Sequence, residues 1–166
     1  FSDPMAEGPV IQAANVRALK NEINLDKIFK AVSELRQETE IPLVFLMYFN
    51  SLLSYGIEDF FKNLFQGTAY STLKRAPVTA YGSNIRNIGL LIADLPFEES
   101  GEIYDYTVKY NVYQISMITP TSSEERAKKI CQRAKGFLYC VSSMGVTGMR
   151  DGFGTDFDGV FSMLNK

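Results

Sequence analysis

Polar and acidic side chains that stand at the ends of apolar segments are the first candidates for chemistry in this sequence. Asp94 follows the apolar run 88–93, and Tyr48 and Tyr139 stand at the ends of two other apolar runs. Parallel β/α sheets collect their functional groups at the carboxyl ends of the strands, so these side chains are expected at one edge of a sheet. Asp94 either caps the next helix or holds a carboxylate at that edge. The two tyrosines either pack in the core or lie at the rim.

A turn near the start of the sequence and a glycine-containing segment near its end offer further candidates for functional residues. Asp3 lies in a Ser-Asp-Pro turn, where an aspartate commonly bonds the nearby backbone, and a site role for it is the alternative. The segment Gly145-Val146-Thr147-Gly148 has two glycines, which let backbone N–H groups approach an anion closely. This spacing is weak evidence for phosphate binding, and neither a P-loop nor a dinucleotide-binding fingerprint occurs. The chain has no histidine, so acid–base chemistry must use carboxylate, tyrosine, lysine or cysteine side chains.

These candidates alternate with segments of helical periodicity. Apolar side chains at helical spacing predict helices over 25–39, 57–64, 98–110, 122–135 and 155–164, and short apolar runs predict strands over 43–48, 88–93, 112–118 and 137–141. Asn24 is expected to cap the first of these helices and Thr155 the last, and Ser122 with Glu125 fits a capping box. Continuous apolar strands that alternate with helices indicate an α/β fold with a parallel sheet whose strands are buried on both faces.

Composition narrows the class of protein. The 166 residues suit a single domain, 1–166, with an unusual insertion or loop at about 65–87. The net charge is −2 without a basic stripe, so nucleic acid is not an expected partner. The apolar run 41–49 contains a proline and is too short to span a bilayer. Two cysteines without metal-site spacing favour the reducing cytoplasm. A chain that begins Phe-Ser-Asp-Pro is expected to be part of a longer protein.

Three sequence blocks together are more specific than any single residue. They are FSDPMAEGPVIQ at 1–12, ADLPFEE at 93–99 and SSMGVTG at 142–148. In this order they resemble the tryptophan synthase alpha subunit family, and the resemblance covers nearly the whole chain except 65–87. It implies a partial TIM (β/α)8 barrel, with strands 1, 7 and 8 of the barrel missing.

The resemblance also implies a function. The family is a lyase that cleaves indole-3-glycerol phosphate to indole and glyceraldehyde 3-phosphate in tryptophan biosynthesis. It implies no cofactor in this chain, and a partner beta subunit that carries pyridoxal phosphate in an α2β2 complex. Because the fragment lacks part of the barrel, it is expected to be inactive alone. The alternative is a non-catalytic barrel remnant that only packs against a partner chain.

The resemblance assigns roles to individual residues. Asp3 would be the catalytic carboxylate near the indole N–H, while a second, acid–base glutamate would lie upstream of Phe1. The implied substrate-binding residues are Tyr48, Asp94, Tyr139, Thr147 and Gly148. Within a mobile loop over 142–154, Thr147 would bond Asp3 on closure and Gly148 would offer its N–H to phosphate. Glu7 corresponds to an acidic position of the first loop and receives no catalytic role.

Overall fold

The computed structural model describes residues 7–39, 41–67, 88–142, 145, 152 and 156–164. Its helices are α1 (Pro9–Lys20), α2 (Leu25–Glu38), α3 (Phe49–Tyr55), α4 (Ile57–Gly67), α5 (Gly101–Lys109), α6 (Glu124–Arg133) and α7 (Phe157–Leu164). Its strands are β1 (Leu43–Met47), β2 (Ile88–Ile92), β3 (Tyr113–Gln114), β4 (Ser116–Ile118) and β5 (Leu138–Cys140). The predicted alternation of strands and helices is therefore confirmed for the described residues.

The strands pair in parallel and in sequence order. β1 pairs with β2 and β2 with β3, while β4 pairs with β5. The strand predicted over 112–118 is divided at Ile115, whose N–H donates to the Leu90 carbonyl at 2.9 Å. Its first half pairs with β2 and its second half with β5. Since sequence neighbours are also spatial neighbours, the strands form an arc of the kind that a β/α barrel uses.

Gly89 of β2 allows close packing against the neighbouring strands near Ile115, where the strand predicted over 112–118 divides. A Cβ atom at this position of β2 would lie 3.1 Å from the Ile115 side chain and 3.2 Å from that of Val44. Both distances are tighter than ordinary van der Waals contact. A side chain here would therefore require the Ile115 and Val44 side chains to shift.

Two helices were not predicted. In α1 the apolar residues are spread around the helix, so periodicity does not reveal it, and none of its side chains is buried. Helix α3 has only seven residues, and Gly56, whose φ is +92°, follows its last residue. The predicted helix over 98–110 is also divided, because a 3-10 turn at Phe97–Glu99 precedes α5. Short or exposed helices of this kind leave little trace in hydrophobic patterning.

The predicted caps are partly correct. The Asn24 side chain accepts from the Lys27 N–H at 2.9 Å, as expected. The capping box of Ser122 and Glu125 is wrong, because Ser123 caps α6 by accepting from the Arg126 N–H at 3.2 Å. Ser122 instead accepts from the Thr119 N–H at 3.2 Å. For the last helix, Asp156 accepts from the Gly159 N–H at 2.9 Å, while Thr155 lies outside the described residues.

The main core lies between the sheet and the helices α2, α4 and α5. Its fully buried aromatic side chains are Phe60 and Phe61, whose ring centroids are 5.5 Å apart in an edge-to-face arrangement. All five residues of β2 are buried, as predicted. In β1 the prediction of burial on both faces is wrong, because Val44 is 44% exposed and Leu46 is 60% exposed. Their side chains point to the concave face of the arc, which the helices do not cover.

The first residues of the predicted insertion belong to a helix. Helix α4 continues through Gly67, so residues 65–67 are helical, and residues 68–87 lie outside the described part of the chain. In the described residues, no helix is long and apolar enough to cross a membrane. Among the described residues, the cysteine and acidic side chains form no group that could hold a metal ion.

Candidate functional site

The concave face of the arc forms a cavity with a volume of about 470 Å³. Helix α1 and the start of α2 stand on one side of it, and strands β1, β2, β4 and β5 form its floor. The lining residues are Glu7, Ile11, Asn15, Leu19, Ile23, Asn24, Leu25, Ile28, Phe45, Leu46, Met47, Tyr48, Ser51, Leu91, Ala93, Met117, Tyr139, Val141 and Gly145. The lining is therefore predominantly apolar.

The floor is built by strand register. Leu46 pairs with Leu91 across β1 and β2, and Met117 pairs with Tyr139 across β4 and β5. Side chains alternate between the two faces of a strand, so each of these strands sends one side chain to the concave face at the same level. The four side chains, from four strand segments, line the same cavity.

The rim of the cavity lies two residues further along three of these strands. Tyr48, Ala93 and Val141 follow the floor residues by two positions and also line the cavity. The ladder continues to this level, because the Ala93 N–H donates to the Met47 carbonyl at 3.0 Å and the Val141 N–H to the Ile118 carbonyl at 2.8 Å. The cavity therefore opens at the carboxyl ends of the strands, where β/α barrels carry their chemistry.

Among the described residues that line the cavity, Glu7 is the one acidic side chain. It is half-buried, and its carbonyl accepts from the Gln12 side-chain amide at 2.9 Å. The resemblance implies no catalytic role for this residue and gives the carboxylate to Asp3, which lies outside the described residues. Pro9 indicates from the sequence where α1 begins, because proline favours the first position of a helix. It places Glu7 just before α1 and therefore on the segment that borders the cavity.

Both tyrosines expected at the site reach the cavity. Tyr48 stands at the N-terminus of α3, directly after β1, and Tyr139 lies on β5 and is 43% exposed. Their joint placement agrees with the pocket position that the resemblance implies, and their contact with substrate stays a prediction. Of the loop over 142–154, Gly145 lines the cavity, while Thr147 and Gly148 lie outside the described residues.

Asp94 is placed differently from these tyrosines. It lines a neighbouring cavity of about 280 Å³, together with Thr119 and Arg126, and not the larger one. One carboxylate oxygen accepts from the Phe49 N–H at 2.6 Å. Asp94 therefore caps α3, which precedes it in the chain, whereas the sequence alternative put the cap on the helix that follows.

An ion pair holds the segment after β2 against α6. The Arg126 guanidinium donates two hydrogen bonds to the Glu98 carboxylate, at 2.8 Å and 3.1 Å. The bond from Arg126 lowers the pKa of Glu98 to about 2, and the same pair raises the pKa of Arg126. Glu98 is therefore ionised across the neutral range and joins the rim segment to the helical layer.

Comparison with known proteins decides the family. The family model described as tryptophan synthase alpha chain matches residues 1–166. The chain belongs to the tryptophan synthase alpha chain family. A relative from Caldanaerobacter subterraneus is 41% identical over 166 residues, which are 100% of this chain and 56% of the relative. A relative from Alkaliphilus metalliredigens is 42% identical over 164 residues, 99% of this chain and 54% of the relative. The chain thus spans about half the length of the curated relatives that it matches.

Solved structures agree. Tryptophan synthase subunit alpha from Legionella pneumophila has a TM-score of 0.68 and 34% identity, covering 85% of this chain and 47% of that one. A chain of the tryptophan synthase α2β2 complex from Pyrococcus furiosus has a TM-score of 0.76 and 26% identity, covering 99% of this chain and 59% of that one. The expectation of a partial TIM barrel is therefore confirmed, and the described arc corresponds to about half of it.

Proposed function

We propose that the full-length protein is a lyase that cleaves indole-3-glycerol phosphate to indole and glyceraldehyde 3-phosphate in tryptophan biosynthesis. The observation that carries this proposal is the apolar cavity at the carboxyl ends of the strands. Its volume of about 470 Å³ falls in the usual range for small-molecule sites, roughly 300–1,000 Å³. The floor of Leu46, Leu91, Met117 and Tyr139 suits a flat aromatic group, because such a ring is bound mainly by burying its faces.

The reaction requires acid–base groups beside that surface. The bond between indole C3 and the adjacent glycerol carbon breaks, C3 takes up a proton, and the hydroxyl on that carbon loses its proton as the aldehyde forms. Positive charge develops on the indole ring when C3 is protonated. A carboxylate near the ring N–H stabilises this charge, and a preorganised group of this kind is most effective in a site that excludes water.

We assign this carboxylate to Asp3, as the resemblance implies. Glu7, which borders the cavity among apolar side chains, is the second candidate. The acid–base glutamate that the resemblance implies would lie upstream of Phe1. Tyr48 and Tyr139 would pack against the indole, and Thr147 and Gly148 would act from the loop, through Asp3 and phosphate respectively.

The partner is also part of the proposal. Relatives of known structure include a chain of the α2β2 tryptophan synthase complex from Pyrococcus furiosus, and this supports a beta subunit as the partner of the full-length protein. We propose that pyridoxal phosphate belongs to that subunit and that this chain needs no cofactor of its own. A cytoplasmic location follows from the same biosynthetic role.

The test is an indole-release assay on the full-length protein. The wild type is expected to release indole, and Asp3→Asn is expected to lower kcat by about 10²–10³, the usual effect of removing one preorganised electrostatic group. Glu7→Gln is the matched comparison, and the variant with the greater loss identifies the carboxylate that serves the ring. A folded wild type without turnover, alone or with a beta subunit, would reject the lyase and leave the non-catalytic remnant. The 166-residue chain by itself is expected to be inactive.

A further inference from the structure

Helix α3 is a wall element between the cavity and the core. Its N-terminal residue Tyr48 and its first-turn residue Ser51 line the cavity. The next residue, Leu52, is fully buried on the other side of the helix. A shift of this helix would therefore move the cavity wall directly.

A helix of seven residues is too short to be stable by itself, so its position depends on anchors. At its C-terminal end, the Tyr55 hydroxyl donates to Asp26 at 2.5 Å and accepts from the Asn63 amide at 2.8 Å. These bonds tie α3 to α2 and α4. The opposite end of α3, next to Tyr48, is held by a different hydrogen bond.

The anchor at the N-terminal end comes from the neighbouring strand. The Tyr48 side chain makes no capping bond. The Phe49 N–H instead donates at 2.6 Å to Asp94, which is 45 residues away in sequence. Asp94 follows β2 by two residues, so this bond connects the carboxyl ends of β1 and β2 through a side chain, just beyond the point where their ladder ends.

We propose that Asp94 is a positioning residue: it holds the Phe49 N–H and thereby fixes Tyr48 in the cavity wall, without touching the substrate. This rests on the proposed function of the cavity. Asp94 lines the neighbouring cavity, whereas Tyr48 lines the large one. The role needs a hydrogen-bond acceptor at this place and does not need a negative charge. That requirement separates it from the direct substrate contact that the family resemblance implies for Asp94.

Two variants of the full-length protein separate these roles. Asp94→Ala removes the acceptor, whereas Asp94→Asn removes only the charge, since its amide oxygen can still accept. We expect Asp94→Ala to raise KM for indole-3-glycerol phosphate about tenfold, the equivalent of one hydrogen bond to a charged group. The value of kcat should change little, because a displaced wall loses binding that ground state and transition state share. Asp94→Asn should stay close to the wild type. Glu99→Ala, which removes an exposed carboxylate from the adjacent turn, is the control for charge alone.

A second measurement does not depend on turnover. Amide hydrogen exchange at Phe49, followed by NMR, should accelerate in Asp94→Ala and remain slow in Asp94→Asn. If the wild type releases no indole, the proposed function fails, and the same variants are then compared by their dissociation constants for indole. The positioning role is overturned if Asp94→Asn is as damaging as Asp94→Ala, because the charge would then act directly. It is equally overturned if Asp94→Ala leaves exchange at Phe49 or binding at the wild-type level.

Discussion

The two faces of the sheet use similar apolar residues for different purposes. On the outer face, Leu90 of β2 is fully buried beneath the helices, and Phe60 of α4, which is also fully buried, belongs to the same core. On the concave face, Leu46 is 60% exposed and Tyr139 is 43% exposed, although both lie on strands. Burial on the outer face stabilises the fold, whereas the concave face contributes its side chains to the cavity. Hydrophobicity by itself therefore does not distinguish a core position from a binding position in this chain.

The sharpest test on the outer face is Phe60→Ala. The Phe60 side chain has no exposed surface and packs against Phe29 and Phe61, so its truncation should lower the free energy of unfolding by about 3–5 kcal/mol. Urea unfolding of the full-length protein measures this loss. A change below about 1 kcal/mol would show that this layer is not the stabilising core.

A smaller effect is expected where α3 meets the outer helices. Tyr55→Phe keeps the ring but removes the hydroxyl that bonds Asp26 and Asn63. The expected loss is about 1 kcal/mol, the net contribution of a typical hydrogen bond. The double variant Tyr55→Phe with Asp26→Asn provides the check: if the two residues act through one bond, the second substitution should add little to the first.

On the concave face the same type of truncation should affect binding more than folding. Leu46→Ala removes a floor side chain that is mostly exposed in this chain, so the free energy of unfolding of the 166-residue chain should fall by less than about 1 kcal/mol. The KM for indole-3-glycerol phosphate should rise several-fold. Leu53→Ala is the matched control, because Leu53 is 50% exposed but does not line the cavity. Equal KM values for the two variants would show that the floor of the cavity does not contribute to substrate binding.

The smallest effect concerns the ion pair that joins the rim to α6. The pKa of Glu98 is lowered from 4.5 to about 2 by its bond to Arg126, so the carboxylate is favoured in the folded state. Its contribution is fully present above the unfolded pKa and is lost as the pH falls from about 4.5 towards 2. Urea midpoints of the wild type and Glu98→Gln should therefore differ slightly at neutral pH and converge in acid. A difference between the urea midpoints that grows as the pH falls would contradict the expected direction of this pH dependence.

The two faces also differ in how well they could be predicted. The outer helices carry apolar stripes because one side of each helix must be buried, so α2, α4, α5 and α6 could be placed from periodicity within a few residues. On the cavity side, α1 buries none of its side chains and α3 is only seven residues long. Neither helix could be predicted from hydrophobic patterning, and both border the site.

Sequence alone determined the alternation of strands and helices, the parallel pairing and, through three short blocks, the family. These depend on local periodicity and on residue identity, which a linear sequence contains. Only the tertiary structure decided that Glu7 borders the cavity, that Leu46, Leu91, Met117 and Tyr139 form one floor, and that Asp94 bonds Phe49 and not the helix after it. Each of these depends on strand register and on contacts between residues far apart in the chain, and such contacts arise only when the sheet curves and its strand ends meet.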